Sequence, residues 1–385
     1  MEQVINIFIA MVKSEICKTP LSPEIIKEIT PEVLEELYIV ARNHDLVHLV
    51  AVSLKRNKLL KNDKISKKYM KYLHSVLMRY ETIQYEQKQI YKVFEKEKII
   101  FVPLKGSVIR NYYKDPWMRT SCDIDILVPQ HELERAKEAL VSSLGYAVGR
   151  YRYHDVSLYS PSGILLELHF KILENEKNID KNLEKVWGYV HPLKEGSYQY
   201  VMTPEYLIFH SFAHMVYHFI NGGIGVRYVV DAWLLDNRLE HDEEVLNKLC
   251  KECGIDYFAK CIKKLSKVWF ENEQHNRLTK QLQAYIITGG VLGNSETKVM
   301  ARKTKTKGQV RYLVQRIFIP YKDFCASFPK LEKYPFLYPY YTVKRWFKIF
   351  NKQIAKNAVQ EIKINRNMLQ EDVDDLQRMF KELGL

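Results

Sequence analysis

The chain has 385 residues, 46% hydrophobic and 27% charged, the balance of a soluble globular protein long enough for two or three domains around at least one full core. Its 59 Lys+Arg against 46 Asp+Glu leave a net charge of +13, which attracts polyanions such as nucleotides, nucleic acid or an acidic membrane surface, and is equally what a Lys-rich solvated surface carries. Six cysteines do not make a disulfide framework and no secretory leader is recognisable at the start, so a cytoplasmic home is expected.

The apolar run Val4 to Val12 is too short to cross a bilayer and reads as the buried face of a first helix, so no membrane span is expected. Residues 1–97 form an expected N-terminal helical region. Ser22-Pro23-Glu24 and Thr30-Pro31-Glu32 each supply a cap, a first-turn proline and an acidic residue for the helix dipole. From Lys64 to Lys98 there is no Gly or Pro, and Tyr69, Leu73, Val76, Leu77, Tyr80 and Ile83 recur at helical spacing, which predicts one long helix. The β-branched and aromatic run Ile99-Ile100-Phe101-Val102 then predicts a strand.

Between 98 and 202 strands and helices alternate. Gly106 to Tyr113 reads as a short helix, Ile124 to Val128 as a strand, and His131 to Leu144 as an amphipathic helix ended by Gly145. Three further strand-like stretches follow, Tyr146 to Tyr153, Val156 to Ser160 and Ile164 to Phe170, the last two joined by the turn Ser160-Pro161-Ser162-Gly163. The expected fold is α+β, a small mixed β-sheet core (98–202) flanked by helical regions at 1–97 and 203–385.

Within that core, Asp123 and Asp125 lie two apart on a strand and so share one face, while Ile124 and Ile126 face the other way. Two carboxylates so placed repel unless a cation lies between them. Glu167 sits in Leu165-Leu166-Glu167-Leu168-His169, on the face of Leu165 and His169, where burial is costly without a pair or a metal. If the two strands are neighbours the three carboxylates converge, and two Mg²⁺ ions, with Mn²⁺ as a substitute, are the expected cofactors. The Gly106-Ser107 step upstream offers backbone N–H groups and a hydroxyl to phosphate oxygens. Lys105 either binds phosphate or solvates a loop; Arg119 either pairs an aspartate or clamps a phosphate.

Beyond Pro204 helical patterns return. His210, His214 and His218 fall at i, i+4 and i+8, on one helical face, and read as pocket-lining more readily than as a metal site because apolar residues crowd the same helix. Arg227 and Asp231 are spaced for an intrahelical pair, unless Arg227 reaches a triphosphate oxygen across a cleft. Cys250-x-x-Cys253 with Cys261 lacks a second Cys/His pair and reads as thiols on a helical core face. The basic run Ala301 to Arg311 reads as a solvated loop entering a helix, and the aromatic cluster Phe336, Tyr338, Tyr340, Tyr341, Trp346 and Phe347 as packing.

Lys105-Gly106-Ser107, Arg119-Thr120-Ser121-Cys122-Asp123-Ile124-Asp125-Ile126-Leu127-Val128 and Leu166-Glu167-Leu168-His169 resemble the signature of the nucleotidyltransferase superfamily, the catalytic fold of polymerase β and the aminoglycoside nucleotidyltransferases. More narrowly, with His210, His214, His218, Arg227, Asp231 and the late Tyr334-Pro335-Phe336-Leu337 and Arg345-Trp346, the chain is similar to the bacterial group of uncharacterised nucleotidyltransferase family proteins. The resemblance implies metal binding by Asp123 and Asp125, Glu167 as third carboxylate and base, and a triphosphate held by Gly106 and Ser107. It implies an enzyme transferring a nucleoside monophosphate from an NTP, ATP first among them, to an acceptor hydroxyl with release of pyrophosphate. A small molecule or protein is the favoured acceptor; RNA, or a nucleotide-holding module without turnover, are the alternatives.

Overall fold

The structure, a computed structural model, describes residues 1–174, 176–305, 321, 325, 331, 334–347, 363–364 and 366–385, without the side chains of 177, 305 and 345–347. Five helices open the chain: α1 (Glu2–Cys17), α2 (Pro23–Lys27), α3 (Pro31–Asn43), α4 (Val47–Arg56) and α5 (Lys64–Lys96). The expected caps are in place, since Ser22 accepts from the Ile25 N–H and Thr30 from the Val33 N–H. In α1 the stripe Val4, Ile7, Phe8, Met11 and Val12 is buried as its spacing requires. Asp63 caps α5, whose 33 residues run unbroken because nothing in them removes a hydrogen bond or loosens the backbone.

The central sheet comprises β1 (Val102–Pro103), β2 (Asp123–Leu127), β3 (Ala147–Tyr151), β4 (Asp155–Tyr159) and β5 (Leu165–His169), in the order β1-β2-β5-β4-β3. β2 and β5 run parallel and every other pair is antiparallel. Between them lie α6 (Gly106–Ile109), continued by a 3-10 turn over Arg110–Tyr112, and α7 (Leu133–Leu144), closed by Gly145 at φ 69°. Ile124, Ile126, Val156, Leu158, Leu166 and Leu168 are fully buried on one sheet face, against Ile83, Ile90 and Phe94 of α5 and Ala136 and Leu140 of α7. Strand alternation therefore delivers Asp123, Asp125, Glu167 and His169 to the opposite face.

The strand expected at Ile99 to Val102 is shorter and split. Phe101 bonds Tyr198 and Tyr200, near the small hairpin β6 (Val190–Pro192) and β7 (Tyr200–Met202), before Val102–Pro103 joins β2. One apolar run thus serves two partners, and neither ladder is long.

The remaining helices are α8 (Lys177–Leu183), α9 (Pro204–Ile220), α10 (Val226–Arg238), α11 (Glu243–Cys253), α12 (Asp256–Glu271), α13 (Arg277–Gly289), α14 (Ser295–Lys305), α15 (Tyr338–Phe347) and α16 (Gln370–Glu382). Of these, α8 to α13 and α16 share one apolar core with α1, α3 and α4, from Val4 and Phe8 to Phe219, Phe258 and Phe380. Cys250, Cys253 and Cys261 are free and buried in it, as their helical spacing predicts. Of the basic run, 301–305 belong to α14 and 306–311 lie outside the described residues. The aromatic cluster does not pack as a unit: Tyr338 and Tyr341 sit against Cys325 and Leu331, whereas Phe336 and Tyr340 are exposed, and the Trp346 and Phe347 side chains lie outside the described residues. Among the described residues no helix is long and apolar enough to cross a membrane.

Several histidines are buried in uncharged form. Burial lowers His44 to about 4 and His210 to about 3 from an ordinary 6.5. Such groups stabilise the fold fully above pH about 6.5, and that contribution is lost as pH falls toward their folded values, by roughly 3 kcal/mol for His44 and roughly 5 kcal/mol for His210. The urea midpoint should therefore drop between pH 7.5 and 5, with a shallower slope in His44→Gln; a midpoint flat over that range contradicts this account.

Candidate active site

Parallel pairing of β2 with β5 sets Asp125 opposite Glu167 and Leu127 opposite His169. The convergence expected of the carboxylates depends on this register, because a shift of one residue sends them to the apolar face. Ligand atoms of Asp125, Glu167 and His169 lie within 4.8 Å of one another, a grouping able to hold a metal ion. Asp123 stands half-buried one alternation earlier on β2. Burial and then the charge of Asp125 push its carboxyl up to about 6.

Internal cations hold the cluster together. Lys105 Nζ donates to Asp125 Oδ1 at 2.9 Å, and His169 Nε2 meets the same oxygen at 3.0 Å. Burial raises the Asp125 carboxyl, but Lys105 and His169 outweigh it and hold the group well below the usual range. On the far side Arg152 Nη1 bridges Glu167 Oε1 at 3.0 Å and the fully buried Asp155 at 3.2 Å. Asp155, opposite His169 on β4, adds a further carboxylate to the same sheet face, and burial raises its pKa. Oxygen donors crowded to this degree, with one strand-mate carboxyl already pushed toward neutrality, fit a hard divalent cation.

At the turn before α6, Lys105 adopts φ 44°, a conformation L-residues rarely take, which aims its side chain at Asp125 rather than into a solvated loop. Gly106 follows because a Cβ there would stand 2.8 Å from Arg119 Nη1 and 3.2 Å from Ser121 Cβ. The Ser107 N–H is spent on the Leu104 carbonyl at 3.1 Å, so what Ser107 has left is its hydroxyl, buried and without a partner. Arg110 packs behind the turn, 2% exposed, donating to the Gly106 carbonyl at 2.8 Å and to Ser121 Oγ at 2.6 Å with its guanidinium 5.9 Å from the Tyr80 ring centroid. Burial and the neighbouring Arg119 lower its pKa to about 10.

Helices α9 and α10 form the opposite wall. Arg119 is buried and grips Asp231 of α10 through Nε at 2.9 Å and Nη2 at 2.8 Å, and Tyr113 donates to the same carboxylate at 2.7 Å. Of the two roles open to Arg119, the structure shows the aspartate pair. The intrahelical pair of Arg227 with Asp231 does not form, because Asp231 is already committed across the domain. Arg227 instead donates to the Thr120 carbonyl at 2.9 Å and hydroxyl at 3.1 Å, just ahead of Asp123. His214 Nδ1 lies 2.8 Å from Glu174 Oε1, and His218 Nε2 lies 3.2 Å from His214 Nε2.

The sequence profile of the family described as uncharacterised nucleotidyltransferase matches residues 31–271, well over half of the chain, and takes in every residue of this site. The chain belongs to the uncharacterised nucleotidyltransferase family. No curated protein and no solved structure matches it. As a nucleotidyltransferase-family chain it keeps the expected Asp123, Asp125 and Glu167 on one sheet face, with Lys105, Gly106 and Ser107 at the edge of β1 and Arg119 and Arg227 bonded into the surrounding loops. Sequence reasoning passed over His169 as a site residue, although Glu-x-His spacing places it beside Glu167. Arg110, Arg152, Asp155 and Glu174 carry no local signal, since their partners come from other elements.

A second group, Asp236, His241 and Glu243, also brings ligand atoms together, but Lys263 Nζ already donates to Asp236 at 2.7 Å and to Glu243 at 2.9 Å. That cluster is a surface ion network.

The Arg119–Asp231 pair ties the loop that leads into β2 to α10. Asp231→Leu strands a buried guanidinium and should cost about 3–5 kcal/mol, whereas Arg119→Met with Asp231→Leu should regain much of it. Chemical denaturation of both variants checks this; equal stability of the two contradicts a buried, mutually dependent pair.

Proposed function

We propose that this protein is a metal-dependent nucleotidyltransferase that moves a nucleoside monophosphate from an NTP, ATP foremost, to an acceptor hydroxyl and releases pyrophosphate. The observation that carries the reading is the parallel register setting Asp125 beside Glu167, with Asp123 on the same face and Lys105 at the edge. Asp123, Asp125 and Glu167, with His169 beside them, would hold Mg²⁺ or Mn²⁺. When bound, such ions neutralise triphosphate charge and acidify an attacking hydroxyl.

The chain's own groups supply the rest. Lys105 and the unpartnered hydroxyl of Ser107 would meet the triphosphate, and Gly106 lets Arg119 and Ser121 pack closely behind the turn that presents them. Arg110 holds the Gly106 carbonyl and lends positive potential from behind. Arg119 and Arg227 position the loop that leads into Asp123, with Arg227 near enough to act electrostatically on that carboxylate. Opposed to activity is a specific observation: Lys105 and Arg152 already occupy Asp125 and Glu167. A nucleotide-holding module without turnover would keep those pairs when nucleotide binds. The acceptor favoured is a small molecule or protein, with RNA as the alternative suggested by the +13 charge. Free thiols among all six cysteines suit a reducing, cytoplasmic setting.

Asp123→Asn with Asp125→Asn should keep the fold and abolish Mg²⁺-dependent release of pyrophosphate from ATP. Wild-type release by the double variant would rule out the assignment, and ATP binding without release by the wild type would select the non-catalytic module.

A further inference from the structure

Arg110 carries a charge that no carboxylate meets among the described residues. It is 2% exposed, yet its bonds run to neutral groups, from Nε to the Gly106 carbonyl at 2.8 Å and from Nη2 to Ser121 Oγ at 2.6 Å, with the Tyr80 ring centroid 5.9 Å from its guanidinium. A buried guanidinium without a counter-ion is costly, and folded proteins rarely leave one so. Asp231 is gripped by Arg119, and Asp123 attracts Arg110 without a bond. The neighbouring Arg119 adds repulsion instead.

That unmatched charge lines a pocket. Between α5 and the loop that leads into β2 lies a narrow space of about 270 Å³, counted to its open mouth, with Arg79 and Tyr80 on one side and Arg110, Trp117, Arg119 and Ser121 on the other. Among the described residues no acceptor meets Nη1 of Arg110, and that nitrogen is not sealed in protein. Arg79 is exposed and makes no ion pair among the described residues, its Nη1 lying 3.5 Å from Sγ of the exposed Cys122. Of the three guanidiniums around the pocket, only that of Arg119 has a bonded carboxylate. We propose that this pocket binds a phosphoryl group or a like tetrahedral oxyanion, held by Arg110 from within and by Arg79 at the mouth.

The shape of the pocket selects the ligand. It is too narrow for a nucleoside, whereas a single oxyanion group suits a pair of arginines, whose N–H forks match its oxygens. Nε and Nη2 of Arg110 are committed, so Nη1 is the donor left for the anion, and Arg79, bonded only to a thiol sulfur, has a side chain to turn inward. Burial and Arg119 lower the Arg110 pKa to about 10, the direction expected of a cation short of an anion. Ser121 Oγ, which accepts from Arg110, donates in turn to the Asp123 carbonyl at 3.3 Å. An anion in the pocket is thus one hydrogen-bonded residue away from the strand that carries the carboxylates. The phosphoryl group has two possible sources, the far end of a nucleotide held at the Lys105–Ser107 turn or a second, phosphorylated molecule. The site itself stands whether or not the chain turns nucleotide over.

The test titrates the full chain with inorganic phosphate by calorimetry in EDTA, so that no metal carries the anion. Wild type should bind one phosphate per chain, more weakly as salt rises. Arg79→Gln should weaken binding about tenfold and Arg110→Lys, which keeps a charge but loses the fork, by at least as much, whereas Lys105→Ala should stay within about twofold of wild type. Wild-type crystals soaked in selenate should show an anomalous selenium peak between Arg79 and Arg110, a readout that holds even if Arg110→Lys fails to fold. Repeating the titration with Mg²⁺ and α,β-methylene ATP sorts the source: phosphate displaced by the analogue assigns the pocket to the terminal phosphate of the nucleotide, and phosphate bound beside it assigns a second molecule. No phosphate binding by wild type and no selenate peak in the pocket overturns the site, as does equal binding by wild type, Arg79→Gln and Arg110→Lys. Failure of the analogue to bind counts against the nucleotidyltransferase reading and leaves the phosphate result standing.

Discussion

Like charges held together on one face of a small sheet are the constraint that orders everything else in this molecule. Asp123, Asp125, Glu167 and Asp155 arrive there because their strands bury Ile124, Ile126, Leu166, Leu168 and Val156 on the other side. The core thus fixes the register, and the register gathers the carboxylates. Each charge left in that position has to be met by a partner, since an unpaired buried carboxylate costs several kcal/mol. Lys105, His169 and Arg152 meet them within the chain, and they do so from a strained turn, a neighbouring strand and an edge hairpin respectively.

The same logic extends outward to the helices. Arg119, in the loop that leads into β2, reaches Asp231 on α10; Arg227 on that helix reaches back to Thr120. These reciprocal contacts pin α10 against the loop that leads into β2. The helical parts are consequently more than a frame, because Arg227 holds the loop just ahead of Asp123 and His214 holds Glu174 on the loop after β5.

Much of this was legible in the sequence where chemistry is local. The caps at Ser22 and Thr30, the unbroken α5 and the closure of α7 at Gly145 all follow from residue type and spacing. So does the common face of Asp123 and Asp125, because strand alternation needs no partner to be known. The length of β1 was not legible, since Phe101 and Val102 divide their hydrogen bonds between different strands. The choice of Asp231 by Arg119 over Arg227 was hidden too. Spacing of four on a helix is a local invitation, and a buried bidentate pair from a distant loop outcompetes it. Glu174 illustrates the remaining limit: a single glutamate in a loop says nothing until the fold sets it against His214.

The central claim is that the sheet's carboxylates are a metal site whose internal cations give way to nucleotide-bound metal. Crystals grown with Mn²⁺ and α,β-methylene ATP test this directly through anomalous scattering at the manganese edge. The account predicts an anomalous peak among Asp123, Asp125 and Glu167, with Lys105 turned from Asp125 to the phosphates. An analogue bound without manganese there, and Lys105 and Arg152 still paired to Asp125 and Glu167, would contradict it.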